Sequence, residues 1–206
     1  MPSEPPDFSI ESARPQEIDL DHVGVPTEYG GRTYRSRLEA RWAVFFDLLH
    51  WPFEYEPFDL SGYIPDFILG FRRGDLLVEV KPAMRYEELQ RNARKICLSG
   101  WHKDFMVVGA KLWWADDAHP WTSMGLLSLW DTESNDGWQP PDRASVHRCR
   151  LCRQISLHLE SGEWSCIQCG ASEAGRYIER LATNELEAMW VEAGNTTRWQ
   201  RGSTEP

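Results

Sequence analysis

The chain has 206 residues, with 22 Lys and Arg against 32 Asp and Glu and a formal net charge of −10. That length holds one sizeable core, or one core with a small module, and that charge excludes a uniformly basic nucleic-acid coat. No apolar run reaches membrane-spanning length and the N-terminus lacks the basic-then-apolar order of a secretory signal, so a soluble, cytoplasmic protein with no membrane partner is expected.

Residues 1–30 carry seven acids against one Arg, together with several Pro, and read as an acidic, flexible N-terminal arm. The stretch "SRLEARWAVFFDLLHW" follows, with Leu38, Trp42, Phe45 and Leu49 at helical spacing and Phe46 widening the stripe. Short β-type segments come next at about 53–58, 62–70 and 75–81, the last two joined by an "FRRGD" tip. A helix is expected over roughly 86–98, then a buried strand over 104–110, "DFMVVGA", from its β-branched run. "GLLSLWDTESNDGWQ" reads as a further hairpin with a polar turn. Residues 147–171 are rich in Cys. The tail, "SEAGRYIERL" and "NELEAMWVEA", is helix-prone, each half opening on a plausible N-cap. No internal repeat is visible.

Charge-bearing side chains interrupt the apolar strands at "YIPDFILGFRRGDLLVEVKP". In "LLVEVK" side chains alternate, so Glu79 and Lys81 share a face and Val78 and Val80 take the other. A hairpin partner carrying Pro65-Asp66 brings Asp66 beside Glu79. Two carboxylates forced together repel unless a cation sits between them, and hard oxygen ligands with open positions suit Mg²⁺ or Mn²⁺. The plain alternative is an exposed strand edge, because Glu-x-Lys arises by chance and Pro-Asp is a common turn dipeptide. The apolar surroundings argue against it. Glu39 lies at the edge of the Trp42/Phe46 stripe and has two compatible readings. Ser36-x-x-Glu39 matches a capping box, with Glu39 reaching back to the Ser36 amide, and a first-turn Glu can also approach a metal.

The order α-β-β-β-α-β, with Glu39 in the first helix, Pro65-Asp66 in the second strand and Glu79-Val80-Lys81 in the third, resembles the PD-(D/E)xK nucleases. The wording of residues 34–82 is similar to phage and bacterial endonuclease-like proteins of that superfamily, whose relatives include Holliday-junction resolvases and transposon-end endonucleases. The resemblance covers about residues 32–110. It implies a class of α/β (α+β) with a restriction-endonuclease-like αβββαβ core. It also implies that Asp66, Glu79, Glu39 and the Val80 carbonyl hold the Mg²⁺ or Mn²⁺, and that Lys81 orients the attacking water or stabilises phosphate charge. The expected catalytic residues are thus Glu39, Asp66, Glu79 and Lys81, and the expected reaction is hydrolysis of DNA phosphodiesters.

Arg32, Arg35, Arg37 and Arg41 cluster around the first helix. They read either as surface solubility or as phosphate contacts. Gln90, Arg91 and Lys95 on the second helix are open in the same way. Cys97 reads as a small buried apolar residue.

Five Cys in a reducing compartment favour metal or free thiol over disulfide. "CRLC" (149–152) and "CIQC" (166–169) are separated by thirteen residues. Cys149, Cys152, Cys166 and Cys169 therefore read as the four thiolates of one structural Zn²⁺ in a zinc ribbon. Its linker reads as a hairpin turning at Ser161-Gly162. His147 is a competing ligand that four Cys make unnecessary. Arg148 and Arg150 flank the knuckle, with Arg153, so the ribbon grips DNA, braces the domain or docks a partner. Trp113, Trp114, Trp121, Trp130 and Trp138 read as packing around it, or as stacking surfaces for unpaired bases.

The expected organisation is an arm (1–30), a nuclease-like domain (31–142), a zinc ribbon (143–171) and a helical tail (172–206). The expected function is a Mg²⁺-dependent deoxyribonuclease with DNA as partner. The alternatives are a catalytically weak nucleic-acid-binding or complex-assembly protein, or a nuclease subunit active only with a partner protein. The resemblance also leaves a homodimer open.

Overall fold

A computed structural model of the protein describes residues 24–60, 62–72, 74–99, 101–113, 121–130, 141–166 and 168–198, without the side chains of 94, 95, 97 and 98. The expectations for residues 1–23 of the arm, for Lys95, Cys97, Trp114 and Trp138, and for the polar turn within 131–140 lie outside the described residues.

The first described element is a hairpin, β1 (Thr27–Tyr29) and β2 (Arg32–Tyr34). Gly30 and Gly31 turn it at φ 58° and 76°, a backbone region that side chains disfavour. Thr27–Tyr29 is thus strand where the arm was expected. α1 (Arg37–Leu48) follows, capped by Ser36, whose hydroxyl accepts from the Glu39 amide at 3.2 Å. β3 (Phe53–Tyr55), β4 (Phe67–Phe71) and β5 (Gly74–Val80) form an antiparallel meander. α2 (Tyr86–Leu98) crosses over, and β6 (Phe105–Trp113) returns parallel to β5. The α-β-β-β-α-β order is therefore present. The strands expected over 53–58 and 62–70 are shorter, because Pro57, Gly62 and Pro65 break the ladder between them.

β7 (Ser123–Ser128) pairs antiparallel with β6, and its hairpin partner is β8 (Asp142–Cys149). β9 (Ile155–Leu159) pairs along β8, and β10 (Ile178–Arg180) pairs with its C-terminal end. The strand order is β10-β8-β7-β6-β5-β4-β3, with β9 on β8, making one eight-stranded sheet. Strand β8 belongs to both regions: Asp142 and Arg143 pair with β7, while His147, Arg148 and Cys149 pair with β10 at the cysteine module.

Side-chain alternation divides the core. Leu76, Val78 and Val80 face α1, where Trp42, Phe45 and Phe46 pack with Phe67. Leu77, Phe105 and Val107 face α2 and meet Leu89, Ala93 and Ile96. The tail helix α3 (Thr183–Thr196) lies on α1, with the Trp190 ring centroid 4.7 Å from that of Trp42. Burying aromatic rings of this size contributes most of the apolar stabilisation here.

Two tail expectations are corrected. "SEAGRYIERL" is not a helix. A single 3-10 turn, Glu173–Gly175, ends at Arg176 with φ 59°, and Ile178 then pairs with Cys149 as strand β10. Sheet pairing and burial of Ile178 beside the cysteines override local helix propensity. The second helix does form, but its N-cap is Ala182, which gives no side-chain cap bond.

Candidate active site and candidate metal centre

The site begins with register. Phe67 pairs with Val78 across β4 and β5, so Asp66, just before β4, comes opposite Glu79, one residue before Val80 ends β5. The Val80 amide donates to Asp66 Oδ2 at 2.7 Å. Glu56, at φ 48°, extends the β3–β4 ladder by donating its amide to the Asp66 carbonyl at 3.0 Å. Lys81 is fixed by its own amide, which donates to the Val108 carbonyl at 2.9 Å. The chain beyond it runs close to β6: a Cβ on Gly109 would lie 2.9 Å from the Ala83 carbonyl oxygen.

Asp66, Glu79 and Glu39 are 4%, 5% and 9% exposed, which rules out a solvated strand edge. Glu79 Oε1 pairs with Lys81 Nζ, and its Oε2 accepts from the Tyr63 hydroxyl at 2.7 Å. Glu39 Oε1 accepts from the Ser36 hydroxyl at 2.7 Å, and Oε2 accepts from the Tyr55 hydroxyl. The expected capping box is therefore half made, because Glu39 returns to the Ser36 hydroxyl and not to its amide. Arg35 completes the group. Its Nη2 lies 2.7 Å from Asp66 Oδ1 and its Nε 2.7 Å from Glu56 Oε1. Glu39, Asp66, Val80, Lys81 and Arg35 line one cleft of ≈ 670 Å³ at the N-terminal end of α1.

Burial, and then the Glu79 charge, push the Asp66 pKa up to about 7, against opposing pulls from Lys81 and the Val80 amide. Burial and the Glu79 carboxylate raise the Tyr63 phenol well above its ordinary value, so it remains a donor. Burial and the bond to Glu39 push Tyr55 up to about 12. Tyr55, Glu56 and Tyr63 were not among the residues anticipated. Tyr55 ends β3, whereas Glu56 and Tyr63 arrive through the segment between β3 and β4, where no periodic pattern marks them.

The arginines separate. Arg32 and Arg37 are exposed, and Arg37 lines the cleft. Arg41, expected at a phosphate, is used inside the protein. Its guanidinium lies 3.7 Å from the Trp190 ring centroid, and Nη2 donates to the Trp190 carbonyl at 2.8 Å. Arg148 is paired with Glu185 of α3, and Arg150 Nε lies 2.6 Å from Glu179. Both act within the fold, joining neighbouring elements. Gln90 is exposed on α2.

The cysteine module has a different geometry. Cys149 and Cys169 sulfurs lie 3.6 Å apart, and those of Cys152 and Cys166 lie 3.4 Å apart. All four ligand atoms fall within 4.8 Å of one another. Tetrahedral coordination at about 2.3 Å per Zn–S bond calls for sulfurs about 3.8 Å apart, so this tetrad can hold a metal ion such as zinc. Two matching turns build it. Arg153 (φ 64°) donates its amide to the Cys149 carbonyl, and Gly170 (φ 74°) donates to that of Cys166, each at 2.9 Å. Among the described residues, this tetrad is the one cluster of three or more His, Cys, Asp or Glu gathered closely enough for a shared ion. Glu39 and Asp66 line the cleft and Glu79 lies behind it on Lys81, and the three do not converge to that degree. Comparison with protein-family models, curated proteins and solved structures finds no match to this chain.

The expected hairpin of residues 153–165 takes another form. The chain does turn at Gly162, whose amide donates to the Leu159 carbonyl at 3.2 Å. The hairpin itself is β8–β9, closed by the first Cys pair, and the return past Gly162 makes only an isolated bridge, Ser165 to Ser172. His147 is not in the tetrad. Burial, His158 and Arg180 lower its pKa to about 3, and its ring lies tilted against Trp164 with centroids 4.0 Å apart. Of the tryptophans, Trp113 is buried against Tyr86, Trp130 lies by His102, and Trp121 is exposed under the Arg180 guanidinium. No helix among the described residues is long and apolar enough to cross a membrane.

Proposed function

We propose that this protein is a divalent-metal-dependent endonuclease that hydrolyses phosphodiester bonds in DNA, with the cysteine tetrad as a structural zinc ribbon. The observation that carries the reading is the buried carboxylate pair, Asp66 and Glu79, held beside Lys81 where β4 and β5 open on a cleft. Buried like charges cost stability, and such arrangements cluster where chemistry needs them.

The donor set fits Mg²⁺ or Mn²⁺. Asp66, Glu79 and Glu39 offer hard oxygens, the Val80 carbonyl would add another, and a cation would offset the burial and the Glu79 repulsion that together raise the Asp66 pKa. Such an ion, when bound, lowers the pKa of a coordinated water and polarises a phosphoryl oxygen. Lys81, partly open to solvent at 28%, would orient that water or neutralise charge growing on the phosphate. Arg32, Arg35 and Arg37 would contact backbone phosphates, with Gln90 beyond them on α2. The meander β3–β5 followed by the parallel crossover to β6 supports a restriction-endonuclease-like core. Two C-x2-C pairs gathered as metal ligands, with no disulfide between them, suit a reducing, cytoplasmic compartment.

One observation favours a second reading. The carboxylates of Asp66, Glu79 and Glu39 are all engaged by the protein itself. A nucleic-acid-binding or assembly protein, or a subunit activated by a partner protein or a second copy, would also look like this. Plasmid and branched DNA incubated with Mg²⁺ and with Mn²⁺ separate the readings. Nicking by the wild type that is lost in Asp66→Asn and Lys81→Met, with unchanged circular dichroism, supports the nuclease. Binding without cleavage in either ion assigns the second reading.

A further inference from the structure

We propose that Arg35 is a displaceable counter-cation: its guanidinium holds Asp66 when no divalent ion is present and turns to a substrate phosphate when one binds. The inference rests on the metal-dependent reading above and adds a role that reading does not contain.

Three features of Arg35 point to it. First, one guanidinium serves acids from three separate places. It lies 2.7 Å from Asp66, just before β4, 2.7 Å from Glu56 after β3, and 3.9 Å from Glu39 in α1. It therefore sits at the charge centre of the cleft, where a metal ligated by Asp66 and Glu39 would have to approach. A guanidinium and a divalent ion cannot share Asp66 Oδ1, because like charges at ligand distance repel.

Second, the side chain is free to leave while its backbone is not. Arg35 is 56% exposed against 6% for its Asp66 partner, so it closes the cleft from the solvent side. The buried carboxylate needs a counter-charge, but the exposed guanidinium can give up its place to another cation that supplies one. The Arg35 amide donates to the Tyr55 hydroxyl at 3.0 Å, and the next residue, Ser36, caps α1. The Cα is thereby pinned at the cleft mouth, and motion is confined to the side chain.

Third, the chemistry of the two partners matches. A planar guanidinium with five donors pairs with carboxylate and with phosphate in the same forked manner. Displaced from Asp66, it would stay in the cleft beside Arg37 and meet the negative backbone of an incoming strand. Metal entry and phosphate capture would then be one exchange of partners.

The role predicts effects of opposite sign, which a purely structural ion pair would not produce. Mn²⁺ titrations of the full, zinc-loaded chain, read by calorimetry and by the free-Mn²⁺ resonance signal, are the test. Arg35→Gln should bind Mn²⁺ about three- to tenfold more tightly than wild type, because the competitor is gone. Duplex DNA should bind more weakly in Mn²⁺ when Arg35→Gln is added to the non-cleaving Lys81→Met background. Equal or weaker Mn²⁺ affinity in Arg35→Gln, with wild type binding normally, overturns the proposal and leaves the metal-dependent reading standing. If neither wild type nor Arg35→Gln binds Mn²⁺ any better than Asp66→Asn does, that reading falls and takes the proposal with it. A crystal structure of the wild type with Mn²⁺ decides independently of how the variant folds. Arg35 released from Asp66 supports the exchange, and Arg35 still within hydrogen-bond distance of Asp66 Oδ1 overturns it.

Discussion

The carboxylate cleft and the cysteine tetrad lie in one sheet but are organised in opposite ways. The tetrad is preassembled by two short local turns, and its ligand atoms already lie within 4.8 Å of one another. The cleft draws its groups from a helix cap, a strand start and a strand end, and Arg35, Lys81 and the Ser36 hydroxyl engage their carboxylates. A site encoded locally is closed and structural. A site assembled by strand register depends on several elements of the sheet at once for its geometry.

Breaking the tetrad should have the largest effect. Cys149→Ser, or removal of zinc by a strong chelator, should release the metal and unfold the turns around the cysteines and β10, whose own cluster is Cys149, Cys166 and Ile178, while β8 and β9 stay held by the main core. Zinc stoichiometry and amide exchange over residues 142–181 check this. One zinc per chain retained in Cys149→Ser would break the ligand assignment. Trp190→Ala comes next. That ring packs on Trp42, Phe45 and Arg41, and its loss should cost about 3–5 kcal/mol in denaturant unfolding.

Asp66→Asn sharpens the contrast from the other side. Cleavage should fall by about 10²–10³, with zinc content untouched. The smallest effect is expected at Glu160, whose carboxylate binds Arg180 Nη1 at 2.6 Å. Burial works against its charge, but its bonds to Arg180 and Ser145 outweigh that and depress its pKa. A depressed carboxylate contributes stability that is full above the unfolded pKa and is lost as pH falls through the folded one. Glu160→Gln should therefore cost about 1.5–3 kcal/mol at neutral pH, and progressively less as pH drops below about 4.3. Melting curves of both proteins across pH 3–7 provide the measurement.

What was legible in the sequence follows the same division. Features carried by neighbouring residues were readable: the α1 stripe, the Ser36 cap, the run of strands and helix to β6, and the paired C-x2-C motifs. Pairing Asp66 with Glu79 followed from alternation along a hairpin, and the structure buries both. Features made by distant contacts were not readable. Tyr63 reaches Glu79 from the irregular segment before β4, and Tyr55 reaches Glu39 from the end of β3 across to α1. Arg41 looked like its neighbours in α1 until α3 placed Trp190 over it. Ile178–Arg180 became a strand because Cys149 offered a free edge beside it.

Strand β8 carries a consequence for anyone who shortens the chain. A protein ended before residue 142 would leave β7, Ser123–Ser128, buried along its whole length in the full chain, as the bare margin of the sheet. A naked row of amides and carbonyls on an apolar strand is a template for intermolecular pairing. Such a fragment should precipitate instead of behaving as an isolated catalytic half.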